Sequence, residues 1–347
     1  MRATVDDYGY VFIKLAVLKS LLMSPQDRKK ILSFRDLESL GNYIKHFFPL
    51  FRPEGLTISQ FERNLWKTYI DIEEKILVSA PFSIQSFLRT LMVRYEIWNI
   101  KIAIHGVIEG LSIEEKKEHI YEKPPVILER EEFMLNLLKA KNFTEIRTAC
   151  ECTPYKAIIN RGLDHIEKSG EIFHLEQDLD KFYFTNILEQ SSYFKKDERD
   201  FIDQFVRSQI DFYNFNLLYR AYFNGIAKEE ITDYLLFQGS LLNAKSINLL
   251  LSANNFDDFL KKLSLVLKKH LKLYNFIPFL KNPNPQVWQN LSAVFLDIFL
   301  SRFQRSIMAE IPLKSIALIF QIILYKETEI KEIIARAVQI ALIQEKY

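Results

Sequence analysis

Arg94-Tyr95-Glu96-Ile97-Trp98-Asn99-Ile100-Lys101 returns, changed but recognisable, as Gln209-Ile210-Asp211-Phe212-Tyr213-Asn214-Phe215-Asn216. In both stretches an acid, an apolar residue, an aromatic, an Asn and a further apolar residue follow in order. In both, a glycine (Gly110, Gly225) lies 11 residues beyond the Asn. Glu329-Ile330-Lys331-Glu332-Ile333-Ile334 is a worn third copy, with Glu332 where Asn is expected. The copies stand 115 and 118 residues apart, far too long for a solenoid repeat and about right for a small domain. The expected organisation is therefore three related units, 1–125, 126–239 and a divergent 240–347.

A second thread keeps the same register. Leu137-Leu138-Lys139-Ala140-Lys141-Asn142-Phe143 matches Leu250-Leu251-Ser252-Ala253-Asn254-Asn255-Phe256, with a fainter Ile31-Leu32-Ser33-Phe34-Arg35-Asp36-Leu37 near the start. Nine glycines in 347 residues leave little material for the turns of a β-rich protein. Helix starts are frequent: Ser24-Pro25-Gln26-Asp27 places Pro at a first helical position, and Ser112-Ile113-Glu114-Glu115 has capping-box spacing. Asn142 and Asn255 stand in short connections that lead into helices. The fold class read from these signals is all-α.

One segment resists. Ile100 to His105 alternates and is β-branched, which alone reads as a strand. Its counterpart, Phe215 to Ala221, does not alternate and contains good helix formers, so both copies are expected to be helical. Unit breaks are placed at Tyr121-Glu122-Lys123-Pro124-Pro125, because paired prolines cannot continue a helix, and at Gln238-Gly239-Ser240. Pro278 to Pro285 reads as a loop.

Composition narrows the function classes. Hydrophobic residues make up 48% and charges nearly cancel at +2, so the chain is globular and lacks the basic stripe of a nucleic-acid binder. The 28 Phe and 16 Tyr read as core rather than as stacking platforms. No run approaches the ~18 apolar residues of a membrane span, and no signal segment is evident, so a soluble protein is expected. Cys150 and Cys152 lack a second pair to complete a zinc site and read as reduced thiols. Glu171-Ile172-Phe173-His174 gives one Glu-x-x-His where a di-iron centre needs two. Asp257-Asp258 lacks the further aspartate of a prenyl-diphosphate site. Phosphate loops, zincin motifs and nucleophile elbows do not occur, and His105 reads as a tolerated polar residue.

On a helix, the motif aligns Glu96, Asn99, Ala103, Gly106 and Gly110 in copy one, and Asp211, Asn214, Leu218, Ala221 and Gly225 in copy two. Copy three gives Glu329, Glu332, Arg336, Gln339 and Ile343. Two readings stay open. The acid and Asn brace neighbouring helices inside each unit, or three such stripes face a common axis as a docking surface.

Tyr8-Gly9-Tyr10, Leu18-Lys19-Ser20 and Leu22 resemble the N-terminal signature of the C-subunit family of archaeal and bacterial V-type (A-type) ATPases, related to the eukaryotic d subunit. Arg94 to Lys101 resembles that family's acid-x-x-Asn-apolar-basic element, and triplication and length fit it across essentially the whole chain. The chain departs at Phe12, Lys14 and Ala16, where a small polar residue and arginines are usual. It departs again at Glu332-Ile333-Ile334, where Asn-Ile-Arg is common.

The resemblance implies a funnel of three helical subdomains about a pseudo-threefold axis, without catalytic residues or cofactor. It implies a central-stalk component at the cytoplasmic face, peripheral to the membrane, joining the lower end of the rotor shaft to the proteolipid ring and transmitting torque. Nucleic acid, small-molecule substrates and metals are not expected as partners. The candidate shaft-docking residues from the repeat geometry are Glu96, Asn99, Asp211, Asn214, Glu329, Glu332 and Arg336. Replacing Glu96 and Asp211 by Ala would then weaken shaft binding and leave the fold intact, whereas unchanged affinity or lost folding would favour bracing. The competing assignment is a triplicated helical adaptor outside any rotary motor.

Overall fold

The computed structural model describes residues 5–194, 196–268 and 311–344; the proline-rich stretch from Pro278 to Pro285 lies outside them. The helices are, in order, α1 Val5–Ser20, α2 Pro25–Ile31, α3 Leu37–Ile44, α4 Ile58–Ser79 and α5 Phe82–Ile108. Then come α6 Ile113–His119, α7 Lys123–Ile127, α8 Glu131–Lys139, α9 Phe143–Cys150, α10 Lys156–Ser169 and α11 Phe173–Ser191. The rest are α12 Lys196–Asn224, α13 Lys228–Thr232, α14 Ala244–Leu251, α15 Phe256–Lys268 and α16 Ile311–Gln344. Among the described residues there is no strand, only one antiparallel bridge between Gln238 and Asn243. The protein is all-α.

The local chemistry that starts these helices is the one the sequence carries. Ser24 Oγ accepts the Asp27 N–H at 3.2 Å while Asp27 accepts the Ser24 N–H at 3.0 Å, a reciprocal capping box with Pro25 just inside. Ser112 with Glu115 and Thr57 with Gln60 repeat it at α6 and α4. The second repeated thread is a run of Asx caps. Asp36, Asn142 and Asn255 each accept the N–H three residues on, at 2.7, 2.9 and 2.9 Å. The strand-like Ile100 to His105 lies inside α5, because its neighbours bury Ile100 and Ile104 along one helical face. Lys123-Pro124-Pro125 does not continue α6, which ends at His119, but opens a short helix of its own. The prolines occupy the first turn of α7, where a missing N–H costs nothing and the fixed φ suits a helix.

The chain divides into two compact units, Met1–Leu21 with Phe34–Gln190, and Leu22–Ser33 with Ser191–Tyr347. In the first, α5 packs against α4, α6, α7 and α8, and Phe48, Phe51, Phe61, Phe87, Tyr69 and Tyr155 are fully buried. In the second, α12 packs against α13, α15 and α16, and α16 against α2. Phe205 and Phe320 stack there at 4.6 Å. Each such aromatic contributes about 1.5–3 kcal/mol by burial. Among the described residues no helix is long and apolar enough to cross a membrane.

Candidate functional site

The repeated motif sits in the middle of α5, α12 and α16, the three long helices. Acid and Asn are three apart, so they share a face. Asn99 donates from Nδ2 to the Tyr121 carbonyl at 2.7 Å and accepts the Tyr121 N–H on Oδ1 at 2.8 Å. Asn214 does the same to Leu236, at 2.6 and 2.9 Å. Both partners stand 22 residues after their Asn, in the chain that follows a short helix. A carboxamide presents an N–H donor and a C=O acceptor side by side, as a peptide group does, so it can pair with both backbone atoms of one residue. Asp, Leu or Ala could not.

The acid reaches further. Glu96 Oε2 accepts Arg130 Nη1 at 2.7 Å and the Tyr155 hydroxyl, and Arg130 is the N-cap residue of α8. Asp211 accepts the N–H groups of Ser240, Leu241 and Leu242 at 3.1, 2.8 and 2.7 Å, just ahead of Asn243, the N-cap of α14. Glu329 accepts the Met23 N–H at 2.7 Å, just ahead of Ser24, the N-cap of α2, and also Lys326 Nζ at 2.7 Å. Each acid therefore grips the entry of one short helix. The third copy finds its partner 306 residues away in the chain. Glu332, which replaces the third Asn, accepts Arg28 Nε at 2.7 Å with a second bond from the same guanidinium.

Glycines finish the design. Gly110 and Gly225 adopt φ of +71° and +69° immediately after α5 and α12. The following N–H groups, of Leu111 and Ile226, bond back to Gly106 and Ala221 at 2.7 and 2.8 Å. That is the Schellman stop, which favours glycine because of its positive φ. The shared 11-residue interval is thus the distance from brace to helix end. Gly106 is small for another reason: an added Cβ would lie 2.6 Å from the stem of Lys116, whose Nζ donates to Ala140 O at 2.7 Å. Gly239 leaves room for Asp211, since a Cβ there would meet Oδ1 at 2.3 Å.

Glu96, Asn99, Asp211, Asn214 and Glu329 are all buried, while Glu332 and Arg336 keep part of their side chains in solvent. Within the first unit Glu96 and Asn99 come together, and within the second Asp211 with Asn214 and Glu329 with Glu332. Arg336 donates to Gln339 at 3.2 Å. The geometry supplies the braces of the first reading in full.

A profile of the ATP synthase (C/AC39) subunit family matches residues 14–342. The chain belongs to that family.

Relatives of this C/AC39 chain include the A-type ATP synthase C subunit of Methanobrevibacter smithii, 25% identical over 97% of this chain and 86% of that protein. That of Thermococcus gammatolerans is 29% identical over 96% of this chain and 86% of its own length. That of Methanococcoides burtonii is 27% identical over 74% and 71%.

Several residues of the C/AC39 chain that complete the braces escaped the sequence reading. Arg130 and Tyr155 close on Glu96, Arg28 on Glu332 and Lys326 on Glu329, and no local pattern marks them. His105 proves to be more than tolerated: Nε2 meets Glu176 at 3.0 Å, beside Lys101 with Asp180 at 2.7 Å, tying α5 to α11. Asp258 serves the α15 cap, accepting the Asn254 N–H at 3.0 Å. Cys150 and Cys152 are free, and burial pushes the Cys150 thiol up to about 12.

Two predictions arise here. Asn99→Leu strands the N–H and C=O of Tyr121 and is expected to cost about 2 kcal/mol, read as a lower urea midpoint by far-UV circular dichroism. Glu96 gives a pH signature. Burial, outweighing Tyr155 and Arg130, raises its pKa above the ordinary 4.5. The folded chain then holds this proton more tightly than the unfolded one. The contribution is complete below the unfolded pKa and is lost as pH rises through the folded value. The parent chain should therefore gain stability relative to Glu96→Gln as pH falls from neutral toward 4.5; an opposite slope in the urea midpoints would show that the hydrogen bonds outweigh burial.

Proposed function

We propose that this chain is a non-catalytic central-stalk subunit of a rotary A/V-type ATPase. It links the lower end of the rotor shaft to the membrane proteolipid ring and transmits torque during ion transport coupled to ATP synthesis or hydrolysis. The observation that carries this reading is a family match spanning residues 14–342, with relatives named as the C subunit of A-type ATP synthases. The chemistry of the motif supports it. A torque-bearing part must resist twisting, and a buried side chain that locks two backbone atoms at once removes local slack.

In this reading the chain is three subdomains, 1–125, 126–239 and 240–347, about a pseudo-threefold axis, peripheral to the membrane on its cytoplasmic face. Glu96, Asn99, Asp211, Asn214 and Glu329 act on the shaft site by holding the helix ends that shape it. Glu332 and Arg336, with part-exposed side chains, are the residues placed to touch a partner. Charged groups there fix orientation more than they add affinity.

The test is native mass spectrometry of complexes recovered from detergent-solubilised membranes through a tag on this chain. One copy with a proteolipid ring and shaft subunits is the expected result. Recovery with unrelated soluble proteins at comparable yield would instead identify an adaptor.

A further inference from the structure

We propose that His165, Glu171 and His174 form a mononuclear binding site for a divalent transition-metal ion of the zinc type, independent of the rotary reading. The three residues belong to the tight connection between α10 and α11. His165 lies in the last turns of α10, Gly170 closes that helix with φ +75°, and His174 is in the first turn of α11.

Their ligand atoms already converge. Glu171 Oε2 is 4.0 Å from His165 Nε2 and 3.9 Å from His174 Nε2, and one ring nitrogen of each His and a carboxylate oxygen of Glu171 all lie within 4.8 Å of one another. The two imidazoles meet edge to face at 4.4 Å between ring centres. Zinc bonds of 2.0–2.1 Å in a tetrahedron place neighbouring ligand atoms about 3.3 Å apart. Closing from the observed distances takes about 0.6–0.7 Å on each Glu171 edge and at most about 1.5 Å between the two rings. Glu171 is the member able to move, with 66% of its side chain exposed. The turn around it is preset: Ser169 Oγ donates to the His165 carbonyl at 2.9 Å and accepts the Glu171 N–H at 3.2 Å.

A second observation points the same way. His165 keeps 41% of its side chain in solvent, but its Nε2 atom is itself shielded and has no hydrogen-bond partner among the described residues. A buried ring nitrogen left so is uncommon and calls for an explanation; coordination supplies one. Two imidazoles with one carboxylate suit zinc, nickel or copper better than the all-oxygen preference of magnesium or calcium. Three protein ligands leave the fourth position to water. The ion would clip the end of α10 to the start of α11.

The probe is Zn²⁺, titrated calorimetrically into the full-length chain after chelator treatment, near neutral pH and without a histidine tag. One saturable equivalent is expected. His165→Ala with His174→Ala should weaken it at least tenfold while far-UV circular dichroism stays that of the parent. Glu171→Gln, at an exposed position, should also weaken it, and Cys152→Ser should leave it unchanged. Absence of saturable uptake would overturn the proposal, as would less than tenfold weakening in the double variant. Parent-like affinity in Glu171→Gln, or loss in Cys152→Ser, would overturn it equally.

Discussion

Asp211→Ala is expected to lower the stability of the chain by about 3–5 kcal/mol, because one buried carboxylate accepts from three backbone donors, at Ser240, Leu241 and Leu242. Leu241 and Leu242 are buried and present their N–H groups to it at 2.8 and 2.7 Å. Alanine leaves both without an acceptor, removes the Ser240 contact, and opens the space that Gly239 keeps clear. Asp211→Asn retains one acceptor oxygen and should lose about half as much. Urea denaturation of the three proteins in parallel measures this. A change below about 0.5 kcal/mol for the alanine variant, the range of an ordinary surface substitution, would show that water reaches those amides. The size of the expected loss also bears on docking. An Asp211 variant that fails to bind a shaft subunit has first to be shown folded, and so has a Glu332 variant, because Glu332 holds Arg28.

Glu329→Ala is the second large effect. Lys326 and Glu329 are each 1% exposed at the side chain and pair at 2.7 Å. Burial drives their pKa values in opposite senses, raising the acid and lowering the base. Both shifts mark charges held away from water at a cost that the partner charge, joined on the acid by the Met23 N–H and by Arg28, does not fully offset. Removing the acid alone leaves a buried ammonium and an unmet Met23 N–H, for about 3–5 kcal/mol. Lys326→Met with Glu329→Gln removes the charges together and keeps an oxygen for Met23. It should therefore cost far less than Glu329→Ala, and lies within reach of the parent. If the double variant is as unstable as the single, the ion pair contributes more than its own desolvation.

The sequence made the helices and the recurrence of the acid-Asn motif plain because both are written locally. Ser-x-x-Glu spacing, Asx caps and the glycine 11 residues beyond each Asn are short-range chemistry, and each has a partner within a turn or two. The Ile100 to His105 alternation misled only in isolation; the second copy of the motif corrected it. Pro124-Pro125 was legible as an interruption but not as the start of α7, since the same fixed φ both ends one helix and begins another. The far ends of the braces were not legible. Nothing near Glu96 names Arg130 or Tyr155, and nothing near Glu329 names Met23. A backbone N–H has no residue-type signature, so any residue but proline could supply it at positions 241 and 121. Burial of the acids was hidden for a related reason: a carboxylate reads as surface until its donors are known.

The grip of Glu329 on Met23 spans 306 residues, and that has a consequence for how the chain comes into being. Ribosomes add roughly 5–20 residues per second, so α2 waits on the order of tens of seconds before the helix that holds it has been made. Meanwhile the acids of the first two motifs can close on partners about 30 residues away. Closing the longer span carries a larger loop entropy, though only logarithmically so. The first-made part of the second unit is thus the last to be secured, and during that interval Leu22–Ser33 is the stretch most open to a chaperone, a protease or a neighbouring nascent chain.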